Sequence, residues 1–460
     1  MNRPTLHKSS GCAFFRRSPW LQRLILSLLA PGMMTCLSPV RANPHGGSVV
    51  HGDIHFGAGT GGNLQIHQGS ANAIINWDSF SIAAGELTQF LQPGTSSAVL
   101  NRVTGGDPSA IHGALQANGN VFVINPNGIL VGPSGTIDVH GLVLSTLDVS
   151  DGEFLAGGDQ VFKGASDQGV TNLGRINAIG GDVFLIGKTV TNSGAITASG
   201  RVGLAAGEEV LLTAAENSSG ERIFVRATGS GVSGTGITND GSIEGAAVEM
   251  KAHGNIYALA INNKGTVRAT GASHSGGRVF LRGIGGGVNN SGSIRATSSG
   301  SGNAGRVLIE AAYAKVDGMM RAEGGDVRIS ATEQVELGGT VDVSSESTVG
   351  GAVVVEGPEI AVGGGADINA SGTEGGSVRI GGGFQGKDAA VANAETLVVE
   401  SGARIEANGA DGDAGSVILW SDDSTRFSGE IRAEAGGSGR GGFVEVSGKD
   451  TLHFEGLVST

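Results

Sequence analysis

Four histidines crowd the start of this 460-residue chain: His45, His51, His55 and His67. His51 and His55 stand four apart, and on a strand residues i and i+4 share a face, which suits a two-histidine metal clasp. No acidic or cysteine ligand completes a set, so surface histidines on a first β coil are expected and no metal is assigned. Gly57, Gly59 and Gly62 spell GxGxxG, as do Gly229, Gly231 and Gly234. Pyrophosphate binding needs that loop between a strand and a helix N-terminus. Neither copy opens a helical pattern, and at this glycine content roughly three such matches arise by chance. Gly187, Lys188 and Thr189 end like a phosphate-binding loop, but Asp182 stands where its first glycine belongs. There is no Gly-x-Ser-x-Gly elbow. Glycan cleavage on a β solenoid would need carboxylates, or Arg and Lys, clustered on one face of several coils; Arg295, Glu310, Arg328 and Glu336 are instead mixed and scattered. Sequons at Asn217, Asn289 and Asn369 are close to the chance number for a chain this rich in Ser and Asn. No catalytic residue and no cofactor is assigned.

What remains is recognition, and the most specific element for it is the segment VFVINPNGILVG at 121–132. Asn125, Pro126, Asn127 and Gly128 fit a type I turn: proline's fixed φ suits i+1, asparagine tolerates i+2, and glycine is favoured at i+3. Val121, Val123, Ile129 and Val131 flank the turn with β-branched residues that favour strands. The turn is therefore an organising feature held between buried strands.

Upstream and downstream lie further blocks in a fixed order: IINWDSFSI at 74–82, LTQFLQPGTSSAVLNRVTG at 87–105, the NPNG block, and GLVLSTLDVSD at 141–151. Together they resemble the N-terminal secretion domain of the two-partner secretion exoproteins, the filamentous haemagglutinin family. The NRVT form, with Asn101 and Arg102, is most similar to the high-molecular-weight adhesin branch. The NPNL-type motif of the haemagglutinin branch is absent. The resemblance covers roughly 49–157. It implies export across an outer membrane by a dedicated β-barrel partner transporter with periplasmic docking domains. It also makes Asn101, Arg102, Asn125, Pro126, Asn127 and Gly128 the expected transporter-recognition residues.

The first 42 residues read as a secretory signal. Arg3, Lys8, Arg16, Arg17 and Arg23 give a basic n-region, 24–30 an apolar core, and Val40-Arg41-Ala42 a cleavage site after Ala42. The apolar run is broken by Pro31 and Gly32 and is too short to span a bilayer. Both cysteines, Cys12 and Cys36, fall in this segment, so the processed chain has no thiol chemistry and must be stabilised by its core and backbone hydrogen bonds. After processing, 24 basic and 43 acidic residues leave a net charge of −19. That disfavours nucleic acid or an anionic membrane as partner.

Glycine supplies 83 of 460 residues, against a usual ~7%, yet Val, Ile and Leu recur regularly. From Gly174 onward the unit is Gly-x-[Ile/Val]-x-Ala, then small residues, then Gly-x-Val-x-[Leu/Ile/Val]. It reads as two short strands and a turn. Ile176 to Ile196 is 20 residues, Val267 to Ile294 is 27, and Ile405 to Ile431 is 26. Alternation points Ile and Ala inward and Arg, Ser, Thr or Glu outward. Such spacing, with strands only, predicts an all-β fold: a right-handed parallel β-helix with an N-terminal capping secretion domain. A rod on the order of 80 Å follows from the ~4.8 Å strand spacing. Asn172, Asn192, Asn239, Asn263 and Asn290 recur at one place in the unit, where they either favour turns or form a hydrogen-bonded ladder.

The expected organisation is a signal at 1–42, a secretion domain at 43–158, and a β-helical passenger at 159–460 that continues beyond the given C-terminus. The passenger is expected to act in adhesion or surface display, against a glycan or protein receptor on a host or other cell. The rivals are the N-terminal part of a contact-dependent toxin and a β-helical polysaccharide-active enzyme.

Overall fold

The computed structural model describes residues 43–59, 61–226, 234–254, 258–271, 275–297 and 303–460. The leader with its cleavage site, and the glycine motif beginning at Gly229, lie outside the described residues. The chain winds into a parallel β-helix with three faces. A representative coil places Val183–Gly187 on the first face, Val190–Asn192 on the second and Ala195–Ala198 on the third, each in register with its counterpart in the next coil. Three long strands, Arg278–Asn290, Arg306–Val316 and Asp326–Leu337, run through the corner between the first two faces without a break. The third face is one 16-stranded sheet. Its 14 parallel steps at ~4.8 Å span about 67 Å, shorter than the rod expected from repeat length.

The sequence unit of two strands proves to be a coil of three. The second-face strand is often only Val-Thr-Asn or Ile-Thr-Asn, so its single apolar residue gives too little alternation to register as a strand. Its asparagine is the ladder residue. The side-chain amide of Asn172 donates to Asn192 at 2.8 Å, Asn192 to Asn239 at 2.8 Å, Asn239 to Asn263 at 2.7 Å and Asn263 to Asn290 at 2.7 Å. All five are fully buried. The ladder stops where Val316 occupies the next rung.

The core is a set of columns. Ile176, Ile196, Ile243, Val267, Ile294, Met320, Val341, Ile368, Ile405 and Ile431 succeed one another in register and are all buried. Each such side chain contributes roughly 1.5–3 kcal/mol by leaving water. At the corner before the third face a column of glycines is enforced by close approach. A Cβ on Gly194, Gly241, Gly265, Gly292, Gly318 or Gly339 would lie 2.0–2.1 Å from the carbonyl oxygen of the glycine one coil below.

At the N-terminus the direction reverses. Ser48–His51 runs antiparallel to Asn72–Trp77, and Ile54–Phe56 antiparallel to Asn63–Gln68, which closes the first coil. His51 and His55 therefore belong to two strands, separated by Gly52 with φ of 89°. His55 instead faces His67 across the strand pair, with ring centroids 6.5 Å apart. The GxGxxG at Gly57 is the loop that joins these two antiparallel strands, and no helix follows it.

Two insertions leave the corner after the first face. One carries the helix Asp151–Ala156 and the strand Gln160–Lys163; the other carries Glu209–Leu212 and Ile223–Val225. The three strands form an antiparallel sheet outside the helix. It covers an apolar outer surface: Ile74, Leu100, Ile124, Val143, Phe184 and Ile186 meet Leu147, Phe154, Phe162, Val210 and Ile223. The short helix is N-capped by Ser150, whose Oγ accepts from Glu153 N at 3.2 Å and donates to the Glu153 carboxylate at 2.7 Å. It ends on Gly157 with φ of 67°.

Beyond this apolar patch the cover sits on charges. Glu249 and Lys251 point outward from the first face yet are buried, as is Glu221 in the loop of the hairpin that covers them. Lys251 pairs with Glu221 at 2.7 Å and Glu249 at 3.1 Å, Arg282 reaches Glu221 at 2.9 Å, and Arg201 joins Glu249 to Glu216. Glu249 also accepts from the backbone N–H of Arg222 at 2.9 Å and of Ile223 at 3.1 Å. Burial pushes the Glu221 carboxyl up, but the Lys251 ammonium, Arg282 and the Asn217 amide outweigh it and hold the group below the usual carboxylate range.

Two outcomes follow. Ile294→Asp should cost about 3 kcal/mol or more, because it buries a carboxyl in the aliphatic column, whereas Arg295→Asp should stay within about 0.5 kcal/mol. Equal losses in denaturant titrations of the two variants would contradict this inward and outward assignment. The second concerns acid. A folded value below the unfolded one means that Glu221 contributes its stability above the ordinary carboxylate range, and loses it as pH falls through the depressed value. Amide protection in Glu209–Leu212 and Ile223–Val225, corrected for intrinsic exchange, should therefore hold at neutral pH and fall below about pH 4. Glu221→Gln should shrink that acid step, and an unchanged step would contradict the coupling.

Candidate recognition site on the first coils

The four sequence blocks lie on successive coils and touch. Trp77 sits inside the first coil with its ring edge-on to Phe56 and Phe80, at centroid distances of 5.5 and 5.9 Å. Its indole N–H needs an acceptor once buried, and Asn101 Oδ1 supplies it from the coil above at 2.9 Å. Asn101, on Ala98–Val103, is fully buried, and its amide donates onward to the carbonyl of Phe122 at 3.1 Å. One buried side chain thus links three coils.

Alternation turns Arg102 outward. Its guanidinium clasps the start of the first insertion: Nε to Asp148 at 3.0 Å, Nη1 to Asp151 at 2.8 Å, and Nη2 to the carbonyl of Val149 at 2.9 Å. Burial pulls the Arg102 value down, but Asp148 and Asp151 outweigh it and hold it above its ordinary value. Val103 returns to the core, and Thr104 donates from N and Oγ1 to the carbonyl of Trp77 at 2.8 and 3.1 Å.

The NPNG segment makes the corner between Asn120–Ile124 and Ile129–Val131. Gly128 N donates to Asn125 O at 3.1 Å, closing the turn. The only non-glycine residue with positive φ among the described residues is Gln385. Asn127 therefore has negative φ, which excludes types II and I′ and leaves the expected type I. Gly128 takes φ of 109°, a conformation that favours glycine. Asn125 is fully buried. Its Oδ1 accepts from Asn127 N at 2.9 Å, and its Nδ2 donates to Asp107 O and Ser109 Oγ, both at 3.0 Å. Asn127 Nδ2 reaches the carbonyl of Gly105 at 2.8 Å, and Ser166 Oγ donates to the carbonyl of Pro126 at 2.6 Å from the coil above.

The loop that follows NRVT is thus the floor on which the NPNG turn rests. All six sequence-assigned residues lie on two neighbouring coils, and all but Pro126 are wholly or partly covered. Asn101, Asn125 and Gly128 are buried, Arg102 is largely covered, Asn127 is half-buried, and only Pro126 is exposed. The cluster offers hydrogen bonds and shape. Trp77, Asp148 and Asp151 were not singled out from sequence, although their blocks were. The available signal was the spacing: Trp77 and Asn101 are 24 residues apart, one coil.

A family model of the TPS secretion domain matches residues 41–296. Over 251 residues, 52% of the chain, the sequence is 33% identical to a heme/hemopexin-binding protein of Haemophilus influenzae, and the match covers 27% of that protein. A second heme/hemopexin-binding protein of Haemophilus influenzae is 35% identical over 129 residues, 27% of this chain and 14% of that one. The chain therefore spans about a quarter or less of the curated relatives it matches. Among solved structures, the HMW1 secretion domain from Haemophilus influenzae aligns with a TM-score of 0.58 at 28% identity, covering 90% of this chain and 98% of that one. With more than half of the chain matched, and with the stacked motif blocks in place, the chain belongs to the TPS, or two-partner secretion, domain family of exoproteins secreted across the outer membrane.

Proposed function

We propose that the first coils are the address read by a dedicated outer-membrane β-barrel transporter with periplasmic docking domains. The coils beyond about residue 158 are then a passenger that binds a glycan or protein receptor in adhesion or surface display. The observation that carries the reading is the contact of the NPNG turn with the loop that leaves NRVT, Asn127 on the carbonyl of Gly105 and Asn125 on Asp107 and Ser109. Arg102, Pro126 and Asn127 are the members a partner can touch, whereas Asn101, Asn125 and Gly128 serve by fixing the corner that presents them. Binding rather than catalysis is supported by the relatives, which are named for what they bind. Those names make haem and hemopexin the first ligands to try on the passenger.

Asn125→Ala should leave the carbonyl of Asp107 and the hydroxyl of Ser109 without their donor, costing about 1–3 kcal/mol locally. Asn127→Ile should cost a similar amount by placing a β-branched residue in the turn. Secretion into the medium, measured with the cognate transporter coexpressed, should fall for both while expression persists. Wild-type secretion of both variants would remove the turn from the address.

The extent of the address is open to a second measurement. A neutral reporter fused after Gly158 should reach the medium when the transporter is present. A cut there separates Gln160–Lys163 and its partner Glu209–Leu212 from the covered surface, so the same reporter is also fused after Ala296. Export of the longer fusion alone would move the boundary past the hairpin. Periplasmic retention of both, with the full chain exported, would overturn the N-terminal address.

A further inference from the structure

Charges on the outer surface mostly meet their opposites one coil away. Asp326 lies in register on Arg306 and pairs with it at 3.1 Å, Glu310 on Arg282 at 3.0 Å, and Glu336 on Lys315 at 2.9 Å. Asp367, Arg404 and Glu430 follow one another in the same alternating way. Directly stacked like charges are unfavourable, and this alternation is how a stack of parallel strands avoids them.

One column does the opposite. Arg268, Arg295 and Arg321 stand in register on the third face, on the strands Thr266–Ala269, Ser293–Ala296 and Met319–Arg321. No other strand column among the described residues places three like charges in succession. The ends are weakly neutralised: Arg268 lies 3.5 Å from Glu244, and Arg321 lies 3.5 Å from Asp342 and 3.7 Å from Glu323. These contacts are long and half-exposed, so they hold the guanidinium groups loosely. Arg295, in the middle, is exposed and has no carboxylate within ion-pair distance among the described residues. Two residues before each arginine, on the same outward side, stand Thr266, Ser293 and Met319 in turn.

We propose that this column binds a linear anionic polysaccharide, whose sulfate or carboxylate groups bridge successive guanidinium groups. The inference rests on the reading of the later coils as a ligand-binding passenger. Arginine suits the task because its planar fork donates two parallel hydrogen bonds to such oxyanions. The three rungs extend over about 10 Å, two strand spacings, so an extended sugar chain laid along the helix axis can present one acidic group per rung. Thr266 and Ser293 add hydroxyls beside it, and Met319, 38% exposed, adds an apolar contact for a sugar face. The site also selects for width. The processed chain carries a net charge of −19, and screening acts over ~8 Å at physiological salt. A narrow chain on the column is shielded from most acids, whereas a nucleic-acid duplex or an anionic bilayer would press against them.

The test uses the full processed chain and a sulfated heparin-type octasaccharide, with a uronate-only octasaccharide, a neutral dextran of equal length, duplex DNA and anionic phosphatidylserine vesicles as further arms. Saturable binding of an acidic octasaccharide that weakens steeply with salt, with none to dextran, DNA or vesicles, is expected; the two acidic probes separate sulfate from carboxylate recognition. Arg295→Ser should weaken it at least fivefold, the triple serine variant at 268, 295 and 321 should abolish it, and Arg295→Lys should retain part of it. Because these side chains face out, the variants should keep wild-type denaturation midpoints and wild-type secretion. Lack of binding by the wild-type chain, unchanged binding by the triple variant, or equal binding to DNA or vesicles would overturn the proposal. Normal secretion alongside any of those results would leave the transporter-address reading intact, whereas failed secretion of the wild-type chain would count against that reading alone.

Discussion

In-register parallel stacking is the constraint from which the rest of this structure follows. Each coil's backbone hydrogen-bonds to the coil below at the same positions, so a residue must tolerate its counterpart directly above and beneath it. Aliphatic side chains satisfy this by nesting, as along the column from Ile176 to Ile431. Glycine satisfies it at the tight corner, where any Cβ would strike a carbonyl. Asparagine satisfies it by being donor and acceptor at once, so five copies in a row pair with one another and only Asn290 Nδ2, where Val316 ends the row, is left without a partner. A buried amide that finds no partner is costly. The ladder residues are therefore tolerated in the core only because they come as a set.

The same constraint explains where the helix departs from regularity. Period-2 alternation should give the first face a polar exterior. Instead, the early coils carry Ile74, Leu100, Phe122, Val143 and Phe184 outward. Such a patch would be a liability if left bare. The two insertions supply the cover, and they leave the chain at the corner that lies beside the patch. Arg102 then fixes the base of the first insertion, and the buried Glu249 and Lys251 of the first face receive the second, which brings Glu221 to Lys251. A buried charge that loses its partner is strongly destabilising, so these pairs favour the one placement in which all of them meet. They suit a hairpin that must close in one position on a surface where apolar contact alone would allow it to slide.

Much of this was legible in the sequence because repetition makes it so. The column of Ile176, Ile196 and Val267 and the recurrence of Asn172, Asn192 and Asn239 follow from spacing alone, and the NPNG turn follows from three residue preferences that agree. The second-face strand was not legible as a strand. Val190–Asn192 has one inward aliphatic residue and an inward asparagine, and alternation cannot be read from so short a run. The insertions escaped for a related reason. Between Ile196 and Ile243 the spacing grows to 47 residues, but nothing in that stretch announces an antiparallel hairpin lying outside the helix. The Ser-x-x-Glu pattern at Ser150 and Glu153 was a readable signal for the helix there. For the recognition cluster, the blocks were legible but not their contacts: Asn101 meets Trp77 only because one coil happens to equal their separation.

Stacking also makes each coil depend on its neighbours. A coil gains its hydrogen bonds and its buried surface only when a neighbour already offers an edge, so stability accrues by nearest-neighbour contact. The first coil has no such template, and it is the coil with unusual reinforcement. Its strands are closed by the antiparallel pairs of Ser48–His51 and Ile54–Phe56. Its centre holds Trp77, Phe80 and Phe90, three of the largest fully buried side chains. Asn101 ties it to the two coils that follow. Large rings and a shared polar bond provide at the start what repeated aliphatic columns provide later. The motifs that mark the family are concentrated on these reinforced N-terminal coils, so the residues expected to address the chain also build the end of the stack on which the later coils rest.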